Sequence, residues 1–259
     1  MKSRLAVTGD HTAGYYHLSI TDVRKSDEGS YVCQLSGTAG STTQQLTVIT
    51  NLPSGVLIGN VGLDKKLIGT EGENLIIRCF AVGGVPAPDV KLLISESVIK
   101  VAKSSVQFTL SSVHRSYDGQ NITCLAGYEE IPNYPFNESA RIYLKLKPYP
   151  PRFSSDSATT EETKPLVISC TSTGSRPKAS IYWFLGDGKI NITTNATQSS
   201  PSHDSTTDTY SITSTLIYSV DRIYNGKYLI CGASNEATME QGGAVETSIA
   251  LNITYLGVG

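Results

Sequence analysis

The sequence predicts an all-β chain of tandem β-sandwiches, and three observations support this fold class. Short strands of alternating apolar and polar residues recur between polar turns. Cysteines lie at separations that suit a disulfide between the two sheets of one sandwich. The length of 259 residues exceeds one sandwich of roughly 100 residues and suits two to three of them.

The third of three repeats has the most complete pattern. Leu166, Ile168 and Cys170 alternate as an inward-facing strand does, and Trp183 follows thirteen residues after Cys170. Cys231 follows 61 residues after Cys170. A cysteine, a tryptophan on the third strand and a second cysteine are typical of an immunoglobulin-like sandwich, because the indole packs against the disulfide between the sheets. We therefore predict a structural Cys170–Cys231 disulfide.

The second repeat follows the same pattern at fixed offsets. Val113 precedes Cys124 by 11 residues, which is the offset between valine and cysteine in the third repeat. We predict a second structural disulfide, Cys79–Cys124. This repeat has no tryptophan, so either Leu92 or Leu93 is expected to fill the corresponding space.

The first repeat contains the later part of the pattern, in the motif Asp27-x-Gly29-x-Tyr31-x-Cys33. Tyr31 stands where a tyrosine corner belongs, with its hydroxyl bonded to the upstream backbone. No cysteine precedes Cys33, so we predict an unpaired cysteine in a sandwich truncated at its N-terminal side. The alternative is that Cys33 is an ordinary unpaired core thiol. A half sandwich would expose core residues, so residues 1–50 are expected to aggregate or to be disordered in isolation.

Proline-rich segments predict the domain boundaries. Residues 1–50 are expected to be the C-terminal half of a V-type immunoglobulin domain, followed by a C2/I-type domain at 51–148 and a C2-type domain at 149–256. The separating segments are Leu52-Pro53-Ser54-Gly55 and Pro148-Tyr149-Pro150-Pro151. Three prolines in four residues favour an extended, semi-rigid second junction. Alternatively, these prolines merely prevent unwanted strand pairing.

Composition argues against several classes of partner. Twenty-one basic and 23 acidic residues give a net charge of −2 without a run of one sign, so neither nucleic acid nor anionic lipid is an expected partner. No apolar stretch approaches the roughly 20 residues that span a bilayer. The start, Met1-Lys2-Ser3-Arg4-Leu5, lacks the apolar core of a signal peptide.

Five Asn-x-Ser/Thr sequons and the paired cysteines predict an extracellular protein. The predicted glycosylation sites are Asn121, Asn137, Asn191, Asn195 and Asn252.

Nothing in the sequence predicts an enzyme, a cofactor or a metal site. The residue types of a catalytic triad occur together in Ser202-His203-Asp204, but adjacent residues do not usually direct their side chains at one another as a relay requires. A solvated loop is the expected structure there. The cysteines include no Cys-x-x-Cys pair of the kind that binds zinc.

Two stretches resemble a known family. Residues 13–22, with Ser30-Tyr31-Val32-Cys33-Gln34, look like the first domain of nephrin/Kirrel-type adhesion receptors. Residues 233–237 and 246–249 are similar to the second-domain type of that family, shared more loosely with nectins. The resemblance implies a cell-surface receptor that binds the same or a related immunoglobulin receptor on a neighbouring cell, mainly through its first domain.

Two alternative functions remain open at this point. One is a secreted immunoglobulin-domain protein of defence or signalling. The other is the ectodomain of a receptor enzyme whose catalytic part lies elsewhere.

The first repeat has features of a protein-binding face. Residues 1–50 contain no asparagine and therefore no sequon, unlike the later repeats. Strand alternation should expose a polar set of side chains on two neighbouring strands, compatible with a modest and reversible interface. Alternatively, they are ordinary solvent-facing strand residues. The predicted protein-binding residues are Val32, Gln34, Ser36, Thr43, Gln45 and Thr47.

Overall fold

The computed structural model describes residues 4–34, 40–129, 131, 136–239 and 242–254. These described residues form 22 β-strands, four short 3-10 helices and one α-helix of four residues. The chain is therefore all-β, in keeping with its alternating apolar pattern.

The chain divides into two compact units. The first comprises Met1–Gly59, Arg78–Phe108 and Ile122–Ser139, and the second comprises Asn60–Ile77, Thr109–Asn121 and Ala140–Gly259.

The described part of the first repeat forms two antiparallel strand pairs, β1–β2 and β3–β4. The strands are β1 (Leu5–Thr8), β2 (His17–Ile20), β3 (Gly29–Gln34) and β4 (Ser41–Leu46), with a 3-10 helix at Lys25–Asp27. Leu18 is 49% exposed and Cys33 is exposed. Tyr31 is half-buried, and its hydroxyl donates to the Asp27 carbonyl oxygen at 2.7 Å, as a tyrosine corner requires.

The second repeat has two sheets, with strand orders β10-β7-β5 and β6-β12-β11-β8-β9. Its strands are β5 (Asn51–Ile58), β6 (Lys66–Thr70), β7 (Leu75–Val85), β8 (Asp89–Ile94), β9 (Ser97–Lys103), β10 (Ser105–Leu110), β11 (Asn121–Gly127) and β12 (Phe136–Lys145). A 3-10 helix at Arg115–Tyr117 precedes β11.

One predicted linker is in fact part of a strand. Leu52-Pro53-Ser54-Gly55 lies within β5, which is an edge strand. An edge strand tolerates a proline because the missing N–H does not interrupt a central ladder, and the pairing register shifts between Pro53 and Gly55. The segment therefore lies in the first strand of the second repeat rather than outside both repeats.

The third repeat also has two sheets, β13-β15-β20-β18 with β19 added to β20, and β14-β22-β21-β16-β17. Its strands are β13 (Arg152–Phe153), β14 (Ala158–Glu161), β15 (Leu166–Ser175), β16 (Ser180–Leu185), β17 (Ile190–Asn191), β18 (Ala196–Gln198), β19 (Ser202–Asp204), β20 (Thr209–Tyr218), β21 (Tyr228–Ser234) and β22 (Val245–Thr254). The 3-10 helices Thr193–Asn195 and Arg222–Tyr224 and the α-helix Glu236–Met239 complete it.

A disulfide connects the two sheets of each of these later repeats. Cys79 of β7 is bonded to Cys124 of β11, with the Cα atoms 5.8 Å apart. Cys170 of β15 is bonded to Cys231 of β21, with the Cα atoms 6.6 Å apart. All four cysteines are fully buried, so each bridge lies in the centre of a core.

The residue beside each disulfide differs between the repeats. Trp183 is fully buried and lies opposite Cys231 in the strand register, and its indole N–H donates to the Ser214 hydroxyl at 2.9 Å. In the second repeat Leu92 occupies the same position, fully buried and opposite Cys124. Leu92 therefore fills the space that tryptophan fills in the third repeat, whereas Leu93 is half-buried.

A polar side chain six residues before the second cysteine anchors the last strand of both later repeats. Asp118 accepts from the Leu144 backbone N–H at 2.8 Å, and Asn225 accepts from that of Ile253 at 2.9 Å. The next residue is a glycine in both repeats, with φ of 81° and 75° respectively, a left-handed conformation that strains other residues. The repeat in the sequence therefore reflects a repeated hydrogen-bonded corner.

Arg176 links the end of the second repeat to the third. Its side chain is 8% exposed, donates from Nε to the Leu144 carbonyl oxygen at 2.9 Å and forms an ion pair with Asp118. Its guanidinium stacks on the Tyr143 ring at 3.9 Å from the centroid, and the Tyr143 hydroxyl donates to Asp208 at 2.9 Å. The backbones of Leu146 and Arg176 also exchange hydrogen bonds of 2.6 and 2.9 Å.

A second arginine holds the proline-rich segment that follows. Arg115 forms a bidentate ion pair with Glu71 at 3.0 and 2.8 Å and donates to the Lys147 carbonyl oxygen at 2.6 Å. Its guanidinium stacks on the Tyr149 ring at 3.9 Å. The segment of Pro148-Tyr149-Pro150-Pro151 is therefore fixed by charge-assisted bonds as well as by proline stiffness.

The stability of the third repeat should depend on the indole hydrogen bond of Trp183 as well as on the volume of its side chain. Trp183→Leu removes buried volume and leaves the buried Ser214 hydroxyl without its donor, so we expect a loss of about 2–4 kcal/mol in the free energy of unfolding. Chemical denaturation measures this value. Ser214→Ala is the matched control and should cost about 1–3 kcal/mol, because it leaves the indole N–H unpaired. A loss below about 1 kcal/mol for Trp183→Leu contradicts the central role of the indole.

Candidate protein-binding face

The strand register brings four of the predicted binding residues onto one face of the β3–β4 hairpin. Val32 lies opposite Thr43, and Gln45 lies opposite Ser30, so these residues share the side of the hairpin on which Gln34 also lies. Val32 is 60% exposed, and Gln34, Thr43 and Gln45 are also exposed. We call Ser30, Val32, Gln34, Ser41, Thr43 and Gln45 the hairpin face.

Two of the six predicted residues are not part of the described hairpin. Thr47 is exposed but follows the end of β4 at Leu46. Ser36 lies outside the described residues.

Two members of this face, Ser30 and Ser41, were not predicted from the sequence. Ser41 lies opposite Gln34, and the Ser30 hydroxyl donates to the Gln45 side-chain oxygen at 2.6 Å. Alternation within one strand could have indicated either serine, but only the pairing register shows which residues of the two strands are neighbours.

The hairpin face carries no ionisable group, since its members are valine, glutamine, serine and threonine. Such a surface gives little electrostatic steering, so an association there would depend on shape, hydrogen bonds and burial of Val32. Amide and hydroxyl side chains can both donate and accept, which allows the same face to pair with a copy of itself.

An arginine that sequence analysis missed fixes the base of the hairpin. Arg4 forms a bidentate ion pair with Asp27 at 2.9 Å in both contacts, and Asp27 also accepts from the Arg24 backbone N–H at 2.8 Å. The Arg4 guanidinium and then the Arg24 N–H lower the pKa of Asp27 to about 2. Arg4 is 23 residues from Asp27, and no motif in the sequence indicated this contact.

An open apolar groove of about 620 Å³ borders the hairpin, and its lining includes Val32 and Gln45 of the hairpin face. Leu18, Ile20, Tyr31, Cys33 and Leu46 are among its lining residues. Cys33 carries the free thiol and is exposed.

The five predicted glycosylation sites lie on the surface. The side chains of Asn121, Asn137, Asn191, Asn195 and Asn252 are all exposed. Sugars at these positions are therefore sterically compatible with the folded strands.

The cluster Ser202-His203-Asp204 forms strand β19, not the solvated loop that the sequence predicted. It pairs with β20, and this ladder satisfies its backbone groups. The three side chains contact different partners: Ser202 bonds the Ser211 carbonyl oxygen, His203 lies 2.9 Å from Asp208, and Asp204 accepts from Thr207 and the Thr206 N–H. They do not form a relay.

Among the residues that the structure describes, no group of three or more His, Cys, Asp or Glu side chains is arranged to hold a metal ion. No helix in the described part of the chain is long and apolar enough to cross a membrane.

Lowering the pH should break the Arg4–Asp27 ion pair at the base of the hairpin by protonating Asp27. The ordinary pKa of aspartate is about 3.9, and the folded value is lower, so the stabilisation is complete above about pH 4 and is lost as the pH falls towards 2. Hydrogen exchange at the Tyr31 amide, corrected for its intrinsic rate, should lose protection in this window. Arg4→Met should weaken that pH dependence, because only the Arg24 backbone N–H would still stabilise the Asp27 carboxylate, whereas Arg24→Met, which removes an exposed side-chain pair with Asp22, should preserve it. Equal pH profiles for native chain and Arg4→Met would rule out this role of the pair.

Comparisons with known proteins agree with this architecture. A family model described as a CD80-like C2-set immunoglobulin domain matches residues 153–241. Cell adhesion molecule 3 of Xenopus laevis is 25% identical over 190 residues, which cover 69% of this chain and 47% of that protein. Nephrin of Homo sapiens is 23% identical over 271 residues, which cover 97% of this chain and 21% of nephrin.

One solved structure is also similar, the full ectodomain of mouse nectin-like molecule 4. It has 18% identity and a TM-score of 0.49, and the match covers 74% of this chain and 67% of that one. The chain spans less than half the length of the curated relatives described above. Residues 153–241 thus match a C2-set immunoglobulin domain, and the chain is similar to the cell adhesion molecules and nephrin, which are immunoglobulin-superfamily adhesion receptors.

Proposed function

We propose that this chain is part of the extracellular portion of a cell-surface adhesion receptor, and that the hairpin face of its first repeat contacts a protein on a neighbouring cell. The partner is the same receptor or a related immunoglobulin receptor. The relatives are cell adhesion molecules and nephrin, which supports the receptor class.

The observation that carries the contact surface is the β3–β4 register. It places exposed, uncharged side chains next to one another in the repeat whose first 50 residues hold no sequon. Glycans on the later repeats would shield those repeats, whereas the hairpin face would stay accessible. In this proposal the second and third repeats are spacers, at residues 51–148 and 149–256, and the first repeat is the C-terminal half of a V-type domain.

The junction of the spacers supports this role. The Arg115 side chain pairs with Glu71, donates to the Lys147 carbonyl oxygen and stacks on Tyr149, and Arg176 forms an ion pair with Asp118. These contacts order the junction before a partner binds, so less conformational entropy is lost on binding.

Charge substitutions test the contact surface and the identity of the partner together. We expect cells bearing the complete receptor with Gln34→Lys and Gln45→Lys to lose aggregation, because like charges would be buried against each other or against a partner at a cost of several kcal/mol. Cells bearing Gln34→Asp and Gln45→Asp should lose it as well. Mixing the two populations should restore aggregation if the receptor binds a copy of itself through this face.

The control is Thr159→Lys, an exposed residue of β14 in the third repeat, which should leave aggregation unchanged. Loss in both populations without rescue on mixing indicates a related receptor as the partner. Normal aggregation of both variants at normal surface expression would exclude the hairpin face as the contact.

A further inference from the structure

The outer face of the β15–β20 pair in the third repeat is lined with hydroxyl groups except at one end. Ser169 and Thr215 are opposite each other with their hydroxyl oxygens 2.8 Å apart, and those of Thr171 and Thr213 are 2.9 Å apart. The third outward pair that the structure describes is apolar, because Val167 lies opposite Ile217. These two side chains are 63% and 57% exposed.

A sequon lies at the same end of this face. In strand β18, Ala196 pairs with Leu216 and packs against the core. Asn195 is the preceding residue, is exposed, and ends the 3-10 helix Thr193–Asn195. It adjoins the Ala196–Leu216 pair, and Ile217 follows Leu216 in β20. Strand β18 neighbours β20, and β20 neighbours β15, so Ile217 lies on a strand about 4.8 Å from β18 and Val167 on a strand about twice as far away.

The two sequons in this region differ in what their side chains do. In the described part of the chain, neither the side-chain amide of Asn195 nor the hydroxyl of Thr197 has a hydrogen-bond partner, and both side chains are exposed. Asn191 instead accepts from the Thr193 N–H at 3.0 Å, and the Thr193 hydroxyl accepts from the Trp183 N–H at 2.9 Å. The side chains of the Asn191 sequon therefore make hydrogen bonds within the fold, whereas those of Asn195 and Thr197 make none in the described part of the chain.

We propose that Asn195 carries an N-linked glycan whose first two sugars lie over Ile217 and Val167. This inference rests on the proposed extracellular function, because the sugar is added in the secretory route. Nδ2 of Asn195 forms a bond to the anomeric carbon of a polyprenyl-pyrophosphate-linked oligosaccharide. The anomeric C–O bond breaks, the pyrophosphate leaves with the electron pair, and Nδ2 loses one proton to solvent.

The physical reason is removal of apolar surface from water. N-acetylglucosamine has an apolar ring face and an acetyl methyl group, and a tethered sugar pays little additional entropy to stay near its attachment site. Two sugars extend over about two strand spacings, which matches the separation of β18 from β15. The hydroxyl-lined remainder of the face can hydrogen-bond to the sugar hydroxyls.

A double-mutant cycle tests the contact in the full chain secreted from glycosylating cells. Peptide mass analysis should first show a glycan at Asn195. Asn195→Gln should then lower the Tm of the third repeat by about 3–6 °C, a shift that corresponds to a small domain losing a weak contact. In the background of Val167→Thr with Ile217→Thr, the same substitution should leave the Tm unchanged.

Asn252→Gln is the matched control, since Asn252 lies beside Thr159 in the other sheet. Its effect on the Tm should be the same with and without the threonine substitutions. An unoccupied Asn195 in a chain glycosylated elsewhere overturns this inference and leaves the proposed function intact. Secretion with no glycan at any sequon overturns the inference and also removes the glycan shielding on which the proposed function draws. Equal Tm shifts for Asn195→Gln in both backgrounds also overturn it, and the aggregation of charge variants tests the proposed function separately.

Discussion

The disulfide between the two sheets is the constraint on which the later repeats depend. Cys170–Cys231 and Cys79–Cys124 each fix the separation of two sheets, and the residue beside the bridge must fill the space that this separation leaves. Trp183 does so in the third repeat and Leu92 in the second. Because the indole also donates to Ser214 on the opposing sheet, the third repeat has a directional contact between its sheets that an aliphatic side chain cannot make.

The residue six positions before Cys33, Cys124 or Cys231 makes a different set of contacts in each repeat. Asn225 bonds the last strand of its own repeat, and Asp118 does the same but also pairs with Arg176 across the junction. Asp27 holds the hairpin base through Arg4. An ionised side chain at this position thus gives the corner a second partner, which a neutral asparagine would attract less strongly.

Much of this fold could be predicted from the sequence, because alternation, cysteine spacing and the tyrosine corner are local patterns with a physical cause. The contacts of Arg4 and Arg176 could not, since they join residues 23 and 58 positions apart and depend on the final geometry. Strand β19 was missed because its residues are polar, and only pairing with β20 makes them a strand. The candidate face was found by alternation, but Ser30 and Ser41 needed the register.

The central claim is that the hairpin face of the first repeat makes the adhesive contact while the later repeats hold it at a distance. Hydrogen–deuterium exchange on the complete receptor ectodomain, free and bound to its partner, maps the contact directly. We expect the amides of β3 and β4 to gain protection on binding, with no change in the third repeat. Protection confined to the sheets of the third repeat, with β3 and β4 unchanged, would contradict this account.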